Sequence, residues 1–571
     1  MSYRAPLRDF RFLLDHVVGF DRVAATGRYC EAAPDTVEAV LTGAGRLCEE
    51  VLAPLQRAGD TRPARLENGV VRTSPGFAEG YRAIAEGGWI STSASPEHGG
   101  MGLPQTLTTA VNDMMSAACL SLQLNPLMTQ GQIEALEHHA SAEIKALYLP
   151  RLISGEWCGT MNLTEPQAGS DLGALRTRAE PRDDGTHAIT GQKIYISWGD
   201  NDFTENVCHL VLARLPDAPA GTKGISLFMV PKRIPDAAGR PGAANALRVV
   251  SLEEKMGLHG APTCVMAYEG ATGWLVGEEN AGLAAMFTMM NNARLGVGVQ
   301  GIGVAEAACQ RAVAHALERR QGRPPEAGDT GAIADHADVR RMLAVMKAEV
   351  FAARAIALAN AVAGDMARAT GGADWAVRAA LLTPITKAHG TDTGIEVASM
   401  GMQVHGGMGY IEETGAAQYL RDVRVTAIYE GTNGIQAMDL VGRKMADGGA
   451  AAFALLDEID AEAAAAQTAL PDLAGPVAEA ARTLRGATDW LVAQPSDERF
   501  AGAVDYLRAF ARVLGAHYHL RAARAAGGQG PRAALARVFV TRILPEHAGR
   551  LHAARAGAAG LYALSAEELA R

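Results

Sequence analysis

Aromatic side chains are scarce in this chain: Phe, Trp and Tyr together make up 5% of its 571 residues. Glycine, by contrast, occurs 63 times. With few large side chains to fill gaps, the core is expected to form where small-residue surfaces approach each other closely. Apolar residues at 48% and charged residues at 20% are ordinary globular values, which excludes a disordered or a fibrous protein.

Cysteine is rare as well. The seven cysteines are scattered, odd in number and never spaced as Cys-x-x-Cys, which argues against a disulfide framework and a zinc site and favours a reducing compartment. Uncharged apolar runs of about 18 residues, the length needed to span a bilayer, are missing. Charged residues are spread over the segment from Arg4 to Asp15, so we expect no secretory signal there. The sequence therefore predicts a cytoplasmic protein.

A surplus of positive charge is also missing, since 53 Lys and Arg oppose 63 Asp and Glu for a net charge of −10. That balance argues against nucleic-acid binding through overall charge. The pair His138 and His139 and the pair His517 and His519 would each point to different faces of a helix, and no carboxylate or Cys completes a ligand set. We therefore predict no metal site.

Helical periodicity predominates along the chain, and β-branched runs bounded by turns are concentrated in one stretch. These runs predict strands at residues 187–191, 193–197, 209–213 and 225–230, with a hairpin turn at Asp183-Asp184-Gly185. The pattern as a whole predicts a mainly α fold with one β-domain.

At 571 residues, the chain is long enough for several domains. The expected division is an N-terminal segment (1–34), an N-terminal helical domain (35–157), a middle β-domain (158–278), a C-terminal helical bundle (279–446) and an extra C-terminal helical domain (447–571). We expect the second of these segments to be entirely helical. The last is expected to hold four helices separated at prolines and at a glycine-rich turn.

Residues 296–301, Gly-Val-Gly-Val-Gln-Gly, match the dinucleotide-binding pattern G-x-G-x-x-G. That pattern requires a strand before it and a helix after it. Here the residues on both sides have the periodicity of one continuous helix. We therefore interpret these glycines as small residues that allow a neighbouring helix to approach.

Residues 164–171, Thr-Glu-Pro-Gln-Ala-Gly-Ser-Asp, form a more specific motif. Pro166 and Gly169 favour a turn, while Thr164 and Ser170 supply hydroxyl groups beside backbone amides. Such a loop suits the edge of a heterocycle and a pyrophosphate group. The string resembles the Thr-Glu-Pro-x-Ala-Gly-Ser-Asp signature of the acyl-CoA dehydrogenase family.

A second string is similar to the other signature of that family. Residues 403–410 read Gln-Val-His-Gly-Gly-Met-Gly-Tyr, and residues 428–436 read Ile-Tyr-Glu-Gly-Thr-Asn-Gly-Ile-Gln. The resemblance covers roughly residues 35–445, and it implies an N-terminal helical domain, a middle β-barrel or sheet domain and a C-terminal four-helix bundle. Within the family, the likeness is greatest to the 3-methylmercaptopropionyl-CoA dehydrogenase group, which also carries a C-terminal helical extension.

The resemblance implies FAD-dependent oxidation of an acyl-CoA thioester to the trans-2-enoyl-CoA. A base removes the α-proton, and the flavin accepts the β-hydride. Glu430 occupies the family's Tyr-Glu-Gly-Thr position and is the predicted base, since an apolar cavity raises the pKa of a carboxylate toward the useful range. Some relatives carry the base directly before the arginine that corresponds to Arg294, but here that position is Ala293, which cannot accept a proton.

Further site residues are carried over by position. The predicted FAD contacts are Leu163, Thr164, Gly169, Ser170, Ile196, Ser197, Arg319, Gln321, Gln403, Gly406, Gly407, Thr432, Asn433 and Gly434. The predicted acyl-CoA contacts are Ser170, Asn291, Arg294 and Gly431. The Glu430 N–H and a flavin ribityl hydroxyl would polarise the thioester carbonyl. One departure is Tyr195, where family members usually have Trp.

The resemblance also implies a homodimer or homotetramer with FAD at the subunit interface, where Arg319, Gln403, Gly406 and Gly407 would complete a neighbouring cofactor site. Electron-transferring flavoprotein is the expected electron acceptor. The candidate substrates are 3-methylmercaptopropionyl-CoA and a medium- or long-chain fatty acyl-CoA. An acyl-CoA oxidase, which passes electrons to oxygen, remains an alternative.

The C-terminal extension leaves a further alternative open. From Arg499 onward, 11 arginines face four acidic residues, so a same-fold flavoprotein with a DNA-binding tail is the second hypothesis. Neither Lys nor interleaved aromatics mark a nucleic-acid surface in this segment. We therefore expect no nucleic-acid partner, do not favour membrane contact by the tail, and predict a structural role in dimer contact.

Overall fold

The computed structural model describes residues 3–323 and 331–571. Its helices are α1 (Leu7–His16), α2 (Asp21–Ala24), α3 (Pro34–Leu47), α4 (Ala53–Thr61), α5 (Phe77–Glu86), α6 (Gln105–His139), α7 (Ala142–Ser154), α8 (Gly282–Glu318), α9 (Ala337–Thr370), α10 (Ala373–His405), α11 (Ala416–Val423), α12 (Asn433–Val441), α13 (Ala450–Ala466), α14 (Pro471–Val492), α15 (Ser496–Ala501), α16 (Ala503–Ala525), α17 (Gly530–Arg542), α18 (Glu546–Ala554), α19 (Ala559–Tyr562) and α20 (Ala566–Leu569). Its strands are β1 (Arg65–Glu67), β2 (Val70–Arg72), β3 (Trp157–Asn162), β4 (Arg178–Pro181), β5 (His187–Ser197), β6 (Asn206–Ala213), β7 (Ser226–Pro231), β8 (Arg233–Pro235), β9 (Pro241–Ala244), β10 (Leu247–Leu252) and β11 (Thr263–Val276).

The described chain divides into two compact units. The sheet unit consists of residues 42–293, and the helical unit consists of residues 3–41 and 294–571. The divisions fall inside α3 and inside α8, so both of these helices contribute residues to each unit. The division of the sequence into five segments stays a prediction.

The sheet unit is organised around a seven-stranded sheet. Its strand order is β3-β6-β7-β11-β5-β4, and β10 also pairs with β11. The β3–β6 pair is parallel and the other pairs are antiparallel. The Gln132 amide of α6 donates to the Cys208 carbonyl at 3.0 Å, and the Gly159 N–H donates to the Thr129 hydroxyl at 3.0 Å. These bonds attach α6 to β3 and β6 of the sheet.

The predicted fold class, mainly α with a β-domain, is confirmed. Residues 209–213 lie in β6, residues 226–230 in β7, and the two runs at 187–197 form the single strand β5. The predicted hairpin joins β4 to β5: the Arg182 N–H donates to the Thr186 carbonyl at 2.8 Å, and Gly185 has a φ of 82°. A glycine suits this turn because a side chain rarely adopts that backbone conformation.

The expectation that residues 35–157 are entirely helical is wrong at Trp157, which already belongs to β3, and at residues 65–72. Strands β1 and β2 form an antiparallel hairpin there. Its turn is Asn68-Gly69, with φ values of 50° and 76°, and two such positive angles are what a two-residue hairpin turn requires. Each strand has only three residues, too few for an alternating pattern to stand out.

Long helices α8, α9 and α10 dominate the helical unit, and the glycine-rich string lies inside α8. A Cβ atom on Gly298 would lie 2.6 Å from the Thr386 carbonyl oxygen, and one on Gly301 would lie 2.3 Å from that of Gly390. Both distances are too short for any side chain, so α8 and α10 pack backbone to backbone. The interpretation of these glycines as helix-packing residues is confirmed.

The last segment holds more helices than expected. The prediction of four is wrong, because the structure has the eight helices α13 to α20. Pro476 lies inside α14 without ending it, and the last helices are short. None of the described helices has the length and the apolar content to cross a membrane.

Arginines of the last segment pair with acidic residues elsewhere in the helical unit. Arg508 lies 2.8 Å from Asp392 of α10, and Arg512 lies 2.5 Å from Glu349 of α9. Arg532 pairs with Asp9 of α1. Much of the local positive charge is therefore neutralised within the fold, which supports a structural role for this segment rather than binding of DNA.

Candidate active site

The predicted site residues occur in both units, and each group is described within its own unit. In the sheet unit, the loop after β3 is closed by two reciprocal hydrogen bonds of 3.0 Å between the backbones of Glu165 and Ala168. This tight turn leaves Gly169 and Ser170 exposed. A Cβ atom on Gly169 would meet nothing within 4 Å, so the space beside its backbone is open. The loop thus presents a hydroxyl and unobstructed backbone, as a pyrophosphate requires.

A buried ion pair fixes this loop to β5. Lys193 Nζ lies 2.8 Å from Glu165 Oε1 and donates to the Leu163 carbonyl at 3.0 Å. Glu165 also accepts from the Thr177 hydroxyl at 2.6 Å and from the Arg176 N–H at 2.7 Å. Burial raises the pKa of Glu165, but the Lys193 ammonium and these hydrogen bonds outweigh it and lower the pKa to about 2. The pair is therefore ionised and holds the loop rigidly.

The end of β5 carries an aromatic ring on its surface. Tyr195 has a φ of 61° and is 61% exposed, while the neighbouring Ile196 is buried and Ser197 is partly exposed. A positive φ is uncommon for an aromatic residue and signals stored strain. The Ile194 N–H of this strand donates to the Thr164 carbonyl of the adjacent loop at 2.9 Å. The strand end and the loop residues Leu163 and Thr164 together offer apolar and hydroxyl groups. These groups fit the edge of a flavin.

In the helical unit, Glu430 lies in a strained turn between the short 3₁₀ segment Arg424–Ala427 and α12. Its φ is 56°, and the φ of Gly431 is 84°. The Thr432 hydroxyl then caps α12 by accepting from the Ile435 N–H at 3.2 Å. Gln436 donates to the carbonyls of Glu430 and Gly431, at 3.4 Å each. A positive φ at a glutamate is costly, and such strain is typical of functional positions.

The surroundings of Glu430 raise its pKa. Burial raises the pKa, the positive charges of Arg294 and Lys387 offset that rise only in part, and the resulting pKa is about 7. Arg294 is buried and lies 3.8 Å from Asp439. Burial also lowers the pKa of Lys387, to about 8. With its raised pKa, the Glu430 carboxyl group can exchange a proton near neutral pH.

Lys387 belongs to a hydrogen-bonded chain that sequence reasoning missed. Its Nζ donates to Asn433 Oδ1 at 3.0 Å, and Asn433 Nδ2 donates to Asp392 Oδ1 at 2.8 Å. The other Asp392 oxygen accepts from Arg508 at 2.8 Å. These hydrogen bonds therefore connect Arg508 of the C-terminal extension to Lys387, the cation beside Glu430. No sequence signal reveals them, because the partners lie 41 to 116 positions apart.

The helical unit brings several predicted residues together. Glu430, Gly431, Thr432, Asn433 and Gly434 are consecutive, and a Cβ on Gly431 would lie 3.9 Å from Arg294. The Asn433 side chain is engaged in the chain with Lys387, so only its backbone is available to a cofactor. Asn291 is an exposed residue of α8 in the sheet unit.

A second cluster forms where α8 and α10 end. The rings of His315 and His405 stack with centroids 4.3 Å apart, which brings these two ends together. The predicted FAD contacts Arg319, Gln321, Gln403, Gly406 and Gly407 lie close to these two histidines in the chain, and all five are exposed. Their contact with a neighbouring subunit stays a prediction.

Comparison with known proteins gives four family matches. They are acyl-CoA dehydrogenase, N-terminal domain (residues 34–156), acyl-CoA dehydrogenase, middle domain (160–271), acyl-CoA dehydrogenase, C-terminal domain (280–446), and acetyl-CoA dehydrogenase C-terminal like (455–565). The matches follow one another along most of the chain. The last one covers the extra helices.

Individual relatives agree with these matches. A 3-methylmercaptopropionyl-CoA dehydrogenase from Ruegeria pomeroyi is 46% identical over 519 residues, which are 89% of this chain and 88% of that protein. A broad-specificity linear acyl-CoA dehydrogenase from Mycobacterium tuberculosis is 34% identical over 78% of this chain and 75% of its own. Among solved structures, ACDH-11 from Caenorhabditis elegans in complex with C11-CoA has a TM-score of 0.80 at 20% identity, covering 95% of this chain and 91% of that one. The structural likeness shows the shared fold. With these matches, the chain belongs to the acyl-CoA dehydrogenase family and is an FAD-dependent oxidoreductase that acts on acyl-CoA.

Proposed function

We propose that this enzyme oxidises 3-methylmercaptopropionyl-CoA to its trans-2-enoyl thioester, with Glu430 as the base. The choice of substrate is supported by the Ruegeria pomeroyi relative, whose likeness extends over 89% of the chain and therefore over at least part of the extension. The choice of base is supported above all by the position of Glu430 in a strained, partly buried turn that raises its pKa to about 7.

Each group has a defined task in this reaction. Glu430 removes the proton from C2 of the acyl group, and a hydride leaves C3, so that a C2–C3 double bond forms. FAD, when bound, supplies the acceptor for that hydride. In this proposal the Glu430 N–H donates to the thioester carbonyl, where negative charge develops as the proton departs. Arg294 and Lys387 are positively charged neighbours that stabilise the carboxylate form of the base.

The rate of flavin reduction is expected to depend on the ionisation of Glu430. Because the base must be deprotonated, kcat/KM should rise with pH and reach half its maximum near pH 7, the pKa of this group. Lys387→Met removes a positive charge that favours the carboxylate, so the midpoint should move to higher pH. The measurement is stopped-flow flavin reduction across a pH series.

Lys347→Met is the matched control, since Lys347 is an exposed residue of the same helical unit. Its midpoint should equal that of the wild-type enzyme. An unchanged midpoint in Lys387→Met, with the protein folded, would exclude the proposed electrostatic role of Lys387.

Substrate choice is tested with a panel that separates sulfur from length. Pentanoyl-CoA matches 3-methylmercaptopropionyl-CoA atom for atom along the chain, with CH₂ in place of sulfur. We expect both to reduce the flavin, and palmitoyl-CoA to have a kcat/KM lower by at least about tenfold, because its extra length must be accommodated. A branched five-carbon acyl-CoA serves as a shape control. A preference for palmitoyl-CoA would overturn the proposed substrate.

Electron-transferring flavoprotein is the proposed acceptor, and a homodimer or homotetramer is the proposed assembly. The exposed side chains of Met408, at 54%, and Tyr410, at 83%, support a subunit contact next to Gly406 and Gly407. Rapid peroxide release in the absence of that flavoprotein would instead identify an oxidase.

A further inference from the structure

A cavity of about 490 Å³ lies within the helical unit, apart from the residues assigned to catalysis. It is lined by the turn between α1 and α2 and by α2, by α9 and the start of α10, and by α13 and α16 of the C-terminal extension. Neither Glu430 nor any of the predicted FAD contacts lines it. The established reaction therefore does not account for it.

The cavity carries surplus positive charge. Four arginines line it, together with two glutamates. Arg378 pairs with Glu458, and Arg524 lies 2.6 Å from Glu462. Arg22 and Arg521 have no ion-pair partner in the part of the chain that the structure describes. Two guanidinium groups are thus available to an anionic group, and guanidinium geometry suits phosphate.

The same cavity offers ring surfaces. Trp375 is partly exposed, with the Arg378 guanidinium 5.7 Å from its centroid. His517 is 2% exposed, and neither of its ring nitrogens bonds to a described residue. Burial, with the nearby charges of Arg521 and Arg378, lowers the pKa of His517 to about 3, so the ring is neutral and offers one donor and one acceptor. Buried polar groups without partners are rare, and a ligand is one way to satisfy them.

These features restrict the ligand. A single phosphate would occupy only a small part of the volume, and a fatty acyl chain would need a mostly apolar lining. The observed lining instead combines apolar side chains such as Val18 and Val362 with aromatic and cationic ones. Ligand sites typically pair apolar and aromatic walls with a few polar groups that fix orientation.

We propose that this cavity binds a nucleoside phosphate, with the phosphate on Arg22 and Arg521 and the base against Trp375 and His517. A free nucleotide and the nucleotide end of coenzyme A share this chemistry. Helices α10 and α16 both line the cavity, and they also supply Asp392 and Arg508. A bound ligand would therefore contact the two helices whose hydrogen-bonded side chains lead to Lys387.

Isothermal titration of the FAD-loaded enzyme with ADP tests the proposal. Wild-type enzyme should bind one ADP per subunit, and Arg22→Gln and Arg521→Gln should each weaken binding about tenfold, the effect of losing one charge-assisted hydrogen bond. Trp375→Leu should weaken the binding of ADP but not that of inorganic pyrophosphate. Arg482→Gln, which replaces an exposed arginine of α14, is the matched control and should leave affinity unchanged.

Coenzyme A is titrated in parallel to identify the source of the ligand. If wild-type enzyme binds two equivalents of coenzyme A per subunit and the Arg22→Gln, Arg521→Gln double variant binds one, the ligand of the cavity is coenzyme A. If both proteins bind one equivalent of coenzyme A, while ADP binding depends on the two arginines, the ligand is the free nucleotide. The proposal fails if neither ADP nor coenzyme A shows binding that depends on Arg22 and Arg521. It also fails if inorganic pyrophosphate binds as tightly as ADP, since the base would then contribute nothing.

Discussion

Glu430→Gln is expected to slow flavin reduction by acyl-CoA about a thousandfold while FAD remains bound. Glutamine has nearly the shape of glutamate but cannot accept the α-proton, and a positioned general base contributes roughly 10² to 10⁴ in rate. Ala293 cannot replace it as a base. The measurement is the rate of flavin bleaching after anaerobic mixing, with the flavin spectrum before mixing as a check on cofactor content.

Glu413→Gln provides the control, because Glu413 is an exposed residue of the same unit and lies a short distance earlier in the chain. Its rate should equal that of wild type. If Glu430→Gln keeps more than about a tenth of the wild-type rate, another group removes the proton and the assignment of the base is wrong.

Lys193→Met is expected to destabilise the sheet unit by about 3–5 kcal/mol, the usual cost of removing one partner of a buried ion pair. Glu165, at 4% exposure, would be left as a buried carboxylate without its counter-charge. The Leu163 carbonyl would also lose a hydrogen bond of 3.0 Å. Since this pair fixes the loop that carries Thr164 and Ser170, we expect the variant to retain less FAD after gel filtration.

Urea denaturation of the apoprotein, followed by tryptophan fluorescence, measures the change in stability. Lys223→Met is the control, since Lys223 is an exposed lysine of the same unit and its loss should cost little. Adding Glu165→Gln to Lys193→Met removes the buried charge and should restore part of the stability, but not all, because the Arg176 and Thr177 N–H groups prefer a carboxylate. Equal stability of Lys193→Met and wild type would show that the pair does not hold the loop.

Much of the fold is predictable because local signals agree with it. The Asp183-Asp184-Gly185 turn and the β-branched runs after it identify the β4–β5 hairpin and the strands of the sheet. Helical periodicity on both sides of Gly298 correctly outweighs its match to a nucleotide-binding pattern. In each case a short stretch of chain contains all the information needed.

Other features depend on residues far apart in the sequence and could not be predicted from it. Lys193 and Glu165 lie 28 positions apart, and nothing in either local pattern indicates that they form a buried pair. Arg508 reaches Asp392 over 116 positions. The surplus of arginine after residue 499 leaves a DNA-binding tail open as an alternative in the sequence, whereas folding pairs several of these arginines with carboxylates of other helices.

The strain at Glu430 is also invisible in the sequence. The motif identifies the residue as a candidate base, but a φ of 56° at a glutamate is apparent only in three dimensions. So is the position of Lys387, a fully buried lysine whose amine is bonded to Asn433. The candidate site is thus predictable as a set of residues, while its electrostatics depend on tertiary structure.

The most direct measurement is an anaerobic single turnover of the oxidised, FAD-loaded enzyme with excess 3-methylmercaptopropionyl-CoA. The amounts of bleached flavin and of C2–C3 unsaturated thioester are quantified in the same sample. We expect one equivalent of unsaturated thioester per flavin bleached, with neither change in Glu430→Gln over the same period. A flavin that stays oxidised with both this substrate and pentanoyl-CoA, or that bleaches without formation of the double bond, would contradict this expectation.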